Sequence, residues 1–143
     1  MQKIILDKNV IVSALISNSV PTQILYKLVL TKSVLLCLSD DVFDEYIGVL
    51  GRDKFSKFKD FRAKADVVLA ALKSNSLFFN TDIKVDVLTD TSDNKFLELA
   101  AASSADFLIT GNTLDFTLDE FEYTKILTPR AYWELIIRKN ELW

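Results

Sequence analysis

Four acidic residues draw attention by their placement: Asp7, Glu45, Asp93 and Asp115. Asp7 ends the apolar run Ile4-Ile5-Leu6, and Asp115 follows the run Phe107-Leu108-Ile109. Asp93 closes the polar string Thr89-Asp90-Thr91-Ser92-Asp93 ahead of an apolar helical pattern, and Glu45 lies one turn into another such pattern. A carboxylate directly after a buried strand costs several kcal/mol unless a cation or hydrogen bonds meet it. If the four converge, carboxylates about 4 Å apart repel by roughly 4 kcal/mol per pair at an effective dielectric near 20. A divalent cation removes that penalty, and all-oxygen ligation suits Mg²⁺ or Mn²⁺ rather than zinc. Such an ion orients a phosphodiester, activates a water and stabilises the leaving oxygen. Each acid also has a plainer reading: Asp93 alone fits a helix cap or dipole partner, and Glu45 alone fits solvated surface.

Composition removes the main competitors. With no histidine among 143 residues, Ser-His-Asp and Cys-His catalysis and the HExxH metalloproteases are excluded. Three glycines supply no dinucleotide or P-loop phosphate cradle, and Gly48-Val49-Leu50-Gly51 reads as a helix end. Asp7-Lys8-Asn9 lacks the second Asp of a haloacid-dehalogenase-like phosphatase. The lone Cys37 sits in the apolar run Val34 to Leu38 and is expected in the core. Half the residues are hydrophobic and the formal net charge is -3, the profile of one globular domain spanning residues 1–143. Asp7 and Lys8 interrupt the N-terminal apolar stretch and no apolar run nears 20 residues, so neither signal peptide nor membrane span is expected and the default compartment is cytoplasmic.

The elements that must position the acids follow from hydrophobic periodicity. Lys3 to Leu6, Val34 to Leu38, Phe107 to Ile109 and Ile126-Leu127 read as buried strands, and Leu77 to Phe79 as an edge strand. Helices are expected after Asp7, after Pro21, after the cap Ser39-Asp40-Asp41, from Arg52 to Leu72, from near Asp93, and from Pro129. Short strands alternating with helices predict a mostly parallel sheet in a three-layer α/β/α domain. Ligands of such sheets bind beyond the carboxyl ends of the strands, which is where Asp7, Asn9, Thr110, Asn112 and Asp115 fall.

In that order and spacing, Ile4-Ile5-Leu6-Asp7-Lys8-Asn9-Val10, Leu38-Ser39 with Glu45, Asp90-Thr91-Ser92-Asp93-Asn94-Lys95-Phe96-Leu97 and Ala105-Asp106-Phe107-Leu108-Ile109-Thr110-Gly111-Asn112 resemble a PIN-domain ribonuclease. The chain is most similar to the VapC-like toxins of prokaryotic toxin-antitoxin pairs. The resemblance implies that Asp7, Glu45, Asp93 and Asp115 bind Mg²⁺ or Mn²⁺ and carry catalysis. Asn9, Asp90, Thr110 and Asn112 then support them, and RNA is the substrate of an endoribonuclease. It also implies a cognate antitoxin and a homodimer as partners. Asn112 stands where many relatives carry Asp, so either Asp115 completes the cluster, the reading taken here, or one carboxylate is missing. Lys8 stands where relatives carry a Thr or Ser hydroxyl. It either turns outward or lies against Asp7 in place of a cation; the second case makes the protein a catalytically impaired RNA-binding or partner-binding module.

Residues 52–64 hold Arg52, Lys54, Lys57, Lys59, Arg62 and Lys64 against Asp53 and Asp60, an excess of four positive charges. They read as RNA phosphate contacts, as plain solvated surface, or as a groove for an acidic partner segment. Phe55, Phe58 and Phe61 between them read as a core-facing stripe before base-stacking aromatics.

Overall fold

A computed structural model describes residues 1–88, 91–111 and 118–141. Its described strands form one sheet in the order β3-β2-β1-β4-β6-β5, with β1 Lys3–Leu6, β2 Leu35–Leu38, β3 Leu77–Phe78, β4 Phe107–Ile109, β5 Glu120–Phe121 and β6 Thr124–Leu127. All neighbours run parallel except β5 and β6. The inner strands are apolar because both faces are covered: Ile4, Ile5, Leu6, Leu108 and Ile109 are fully buried. Removing each such side chain from water is worth about 1.5–3 kcal/mol.

The helices are α1 Lys8–Ile16, α2 Val20–Gln23 running on into a π-wound stretch Ile24–Val29, α3 Asp40–Leu50, α4 Phe61–Asn75, α5 Asn94–Ser103 and α6 Pro129–Glu141. Connections from β1 to β2 and from β2 to β3 move toward one edge, whereas the chain from β3 to β4 returns past β1. Right-handed crossovers therefore place α1 to α4 on one face and α5 on the other, giving the expected α/β/α layers. The order reverses between β1 and β4, so the ends of these two strands frame the switch point where open sheets bind ligands.

Local signals explain most boundaries. Ser39 accepts a hydrogen bond at 3.2 Å from the Val42 amide and starts α3, and Pro21 lies in the first turn of α2. The expected Arg52–Leu72 helix is instead a 3-10 turn at Asp53–Phe55 and a separate α4. The break is Asp60, whose φ of 61° is left-handed, a conformation that aspartate tolerates better than most residues. Strand β5 carries no periodic signal in two residues and exists by pairing with β6. Among the described residues no helix is long and apolar enough to cross a membrane.

Tyr46, buried on α3, donates its hydroxyl to the Leu6 carbonyl and ties that helix to the carboxyl end of β1. Tyr46→Phe should therefore cost about 1–3 kcal/mol in urea unfolding, because a buried carbonyl loses its donor. A midpoint and slope unchanged from the parent would show that this tie carries no stability.

Candidate functional site

Asp7 takes the N-cap position of α1 with extended dihedrals, yet its side chain makes no cap hydrogen bond. Asp93 likewise begins α5 without capping it. The hydrogen-bonded capping reading of Asp93 is therefore set aside, and both acids are buried, at 1% and 2% exposure. The Asp7 amide donates to the Ile109 carbonyl at 2.9 Å, prolonging the β1–β4 ladder, and the Thr110 hydroxyl donates to Asp7 Oδ2 at 2.9 Å. Asp7 Oδ1 is buried and meets no hydrogen-bond partner among the described residues. Burial is the chief reason that the Asp7 carboxyl rises from 3.8 to about 6; Thr110 and the Lys8 charge oppose the rise and the Asp93 charge adds to it.

Lys8 links the other two acids. Its Nζ donates to Asp93 Oδ1 at 2.8 Å and lies 3.3 Å from Glu45 Oε1, with the ammonium 5.8 Å from the centre of the Phe96 ring. Glu45 Oε2 receives a second ammonium, Lys95 Nζ, at 3.2 Å. Burial alone would raise the Glu45 carboxyl, but Lys95 and then Lys8 hold it below its ordinary value. Burial likewise opposes the Lys8 ammonium, and Asp93, Asp7 and Glu45 together raise it. The expected contact of Lys8 with Asp7 is thus a charge interaction, while its hydrogen bonds go to Asp93 and Glu45.

Asp7, Glu45 and Asp93 therefore gather at one edge of the sheet, but among the described residues no three acidic side chains form a ready ligand cage. In kind the donors fit a hard divalent ion, and the orphaned Asp7 Oδ1 calls for one. In arrangement they are spread around an ammonium. Of the supporting residues, Thr110 touches Asp7, and Asn9 is exposed beside Val10, Ser13, Pro21, Gly111 and Pro129 around a cleft of about 360 Å³. Asp90, Asn112 and Asp115 lie outside the described residues.

Several contributors escape the sequence. Lys95 as partner of Glu45 carries no signal beyond its position after Asp93-Asn94. Asn94 Oδ1 accepts from the Leu88 amide at 2.9 Å, and Glu98 Oε2 from the Val85 amide at 2.9 Å. These residues, four apart on one face of α5, bind the extended segment that leads toward Asp93; the clue was two polar side chains on an apolar helix.

The basic segment lies apart from the acids. Arg52, Lys54, Lys57, Lys59, Arg62 and Lys64 are all exposed. Lys64 faces Ala14 to Asn18 at the far end of α1, about 13 Å of helix rise from its start at Lys8. Phe55 and Phe61 are buried and stacked, with ring centroids 5.2 Å apart, and Phe58 packs against the core, as a core stripe should.

A raised carboxyl sets the sign of the pH dependence. In EDTA, the folded protein holds the Asp7 proton up to about pH 6 and the unfolded chain only to about 3.8, so stability should rise as pH falls from 7.5 to 5. The shift of about two units corresponds to about 3 kcal/mol over the full span down to pH 3.8, of which about half appears between pH 7.5 and 5. Thermal melts of the parent and of Asp7→Asn across this range check it: the variant should lose most of the slope, and parallel curves would count against a buried ionised Asp7.

The PIN domain family model matches residues 3–114 of the chain. An uncharacterized protein of Methanocaldococcus jannaschii is 32% identical over 126 residues, covering 87% of this chain and 80% of that protein. Among solved structures, the crystal structure of FitAcB from Neisseria gonorrhoeae superposes with a TM-score of 0.55 at 20% identity, covering 88% of this chain and 97% of that one. Acids delivered to the switch point of a parallel α/β/α sheet, together with a family match over most of the chain, lead to one conclusion: the chain belongs to the PIN domain family.

Proposed function

We propose that this protein is a Mg²⁺- or Mn²⁺-dependent endoribonuclease, the toxin of a toxin-antitoxin pair, acting within the cytoplasm. The observation that carries the reading is the buried Asp7 Oδ1 at the switch point, which has no hydrogen-bond partner among the described residues, with Asp93 and Glu45 grouped around the neighbouring Lys8 ammonium. Asp7, Asp93 and Glu45 would hold the ion, with Asp115 as the fourth acid. A bound ion supplies an activated water and stabilisation of the leaving oxygen. Thr110 keeps the Asp7 carboxylate turned in one direction, and Tyr46 fixes the start of α3 and so the reach of Glu45. The cleft beside Asn9 would receive the RNA next to the acids, and the basic segment would meet phosphates more than about 10 Å along the chain from the cleaved bond.

A partner fits elsewhere on the surface. Tyr26, Leu30, Ala63, Val67, Val68 and Ala71 line an almost wholly apolar groove of about 290 Å³, with Val67 70% exposed. Such a groove suits the apolar face of an amphipathic antitoxin segment. A second reading, a catalytically impaired RNA-binding module, is favoured by the Lys8 ammonium between Glu45 and Asp93.

Cleavage of a mixed RNA pool with Mn²⁺ and with EDTA tests the enzyme. Asp7→Asn and Asp93→Asn should each lower the Mn²⁺-dependent rate more than about a hundredfold, the upper range of losses at outer-shell metal residues. Parent cleavage that persists in EDTA, or variants as active as the parent, would overturn the assignment. For the basic segment, Lys57→Glu with Lys59→Glu should weaken RNA binding and reduce the salt slope by about 0.7 for each phosphate no longer neutralised. An unchanged slope would place the RNA path elsewhere.

A further inference from the structure

The Lys8 ammonium is shared between a carboxylate on α3 and one at the start of α5. Its side chain is 13% exposed and that of Asp93 is 3% exposed, so the contact is enclosed, with the Phe96 ring on one side. The Lys8 ammonium goes to Asp93 and Glu45, and among the described residues Asp7 Oδ1 has no hydrogen-bond partner. The ammonium thus satisfies two acids and leaves the third, whereas a multivalent ion bound by all three would satisfy Asp7 as well.

We infer that Lys8 is a built-in competitor for the divalent cation, an autoinhibitory latch whose ammonium must leave Glu45 and Asp93 before the ion can enter. The inference rests on the metal-dependent reading above and goes beyond it in naming what controls occupancy. A tethered ammonium needs no capture from solution, so the latched state dominates at low ion concentration. The apparent ion affinity is then lowered by the fraction of molecules in which the latch is open. Reciprocity requires that bound ion also expel Lys8 from its partners. Lys95, paired with the outer oxygen of Glu45, can remain in place during the exchange.

Titration of the full-length parent and of Lys8→Met with MnCl₂ alone, followed by calorimetry, tests the latch. Met keeps an unbranched stem over Phe96 and removes the charge. The variant should bind Mn²⁺ at least tenfold more tightly than the parent. In the parent, acetylation of amines read by mass spectrometry should rise at Lys8 on adding saturating Mn²⁺ and stay level at exposed Lys54. Equal Mn²⁺ affinities, or Lys8 labelling that does not move while the parent is shown by calorimetry to bind Mn²⁺, would overturn the latch and leave the metal-dependent reading intact. Binding by the variant alone would support the latch and the impaired-module reading together. Mn²⁺ binding by neither protein would overturn the metal-dependent reading and the latch with it. Should Lys8→Met fail to fold, the labelling of the parent decides.

Discussion

Among the described residues, Asp7, Glu45 and Asp93 meet the ammonium groups of Lys8 and Lys95 at the carboxyl edge of the sheet, an excess of one negative charge when all five are ionised. Glu45 receives both Lys8 and Lys95, Asp93 receives Lys8, and Asp7 receives the Thr110 hydroxyl. Removing one partner of an enclosed ion pair strands the other and typically costs about 3–5 kcal/mol. Lys8 therefore fastens α1 to α3 and α5.

The fold delivers these groups with little freedom. Asp7 follows three fully buried residues, so its backbone position is set by the β1–β4 ladder, which continues through its own amide to Ile109. Tyr46 anchors α3 to the end of β1, and Glu45 is its neighbour in sequence. Asn94 and Glu98 hold Val85 and Leu88 by their main-chain amides, and a 3-10 turn at Thr91–Asp93 leads directly into α5. Preorganisation of this kind is what lets a carboxylate remain buried without a complete set of partners.

The basic segment shows a different logic. Its charges are exposed on an irregular stretch and on the first turns of α4, while the phenylalanines between them turn inward and stack. Charge and apolar residues alternate because that stretch must both cover the core and stay hydrated. Lys64 of this segment lies at the far end of α1 from Asp7, so the exposed cations and the buried acids occupy different parts of the surface.

Hydrophobic runs and their periodicity determined, without coordinates, the parallel sheet, the buried strands, the helix capped at Ser39 and the helix with Pro21 in its first turn, because burial demands apolar residues at fixed spacing. The acids at strand ends were legible for the same reason: a charge beside a buried run needs a cause. Three features were settled only by the tertiary structure. Strand β5 depends on a partner strand, the break at Asp60 on a single left-handed residue, and the destination of Lys8 on which acids its flexible stem can reach. Sequence supplied two outcomes for that lysine, outward or against Asp7. Packing chose a third, since an ammonium gains most where two carboxylates from separate helices already face each other, and only the folded arrangement says which two they are.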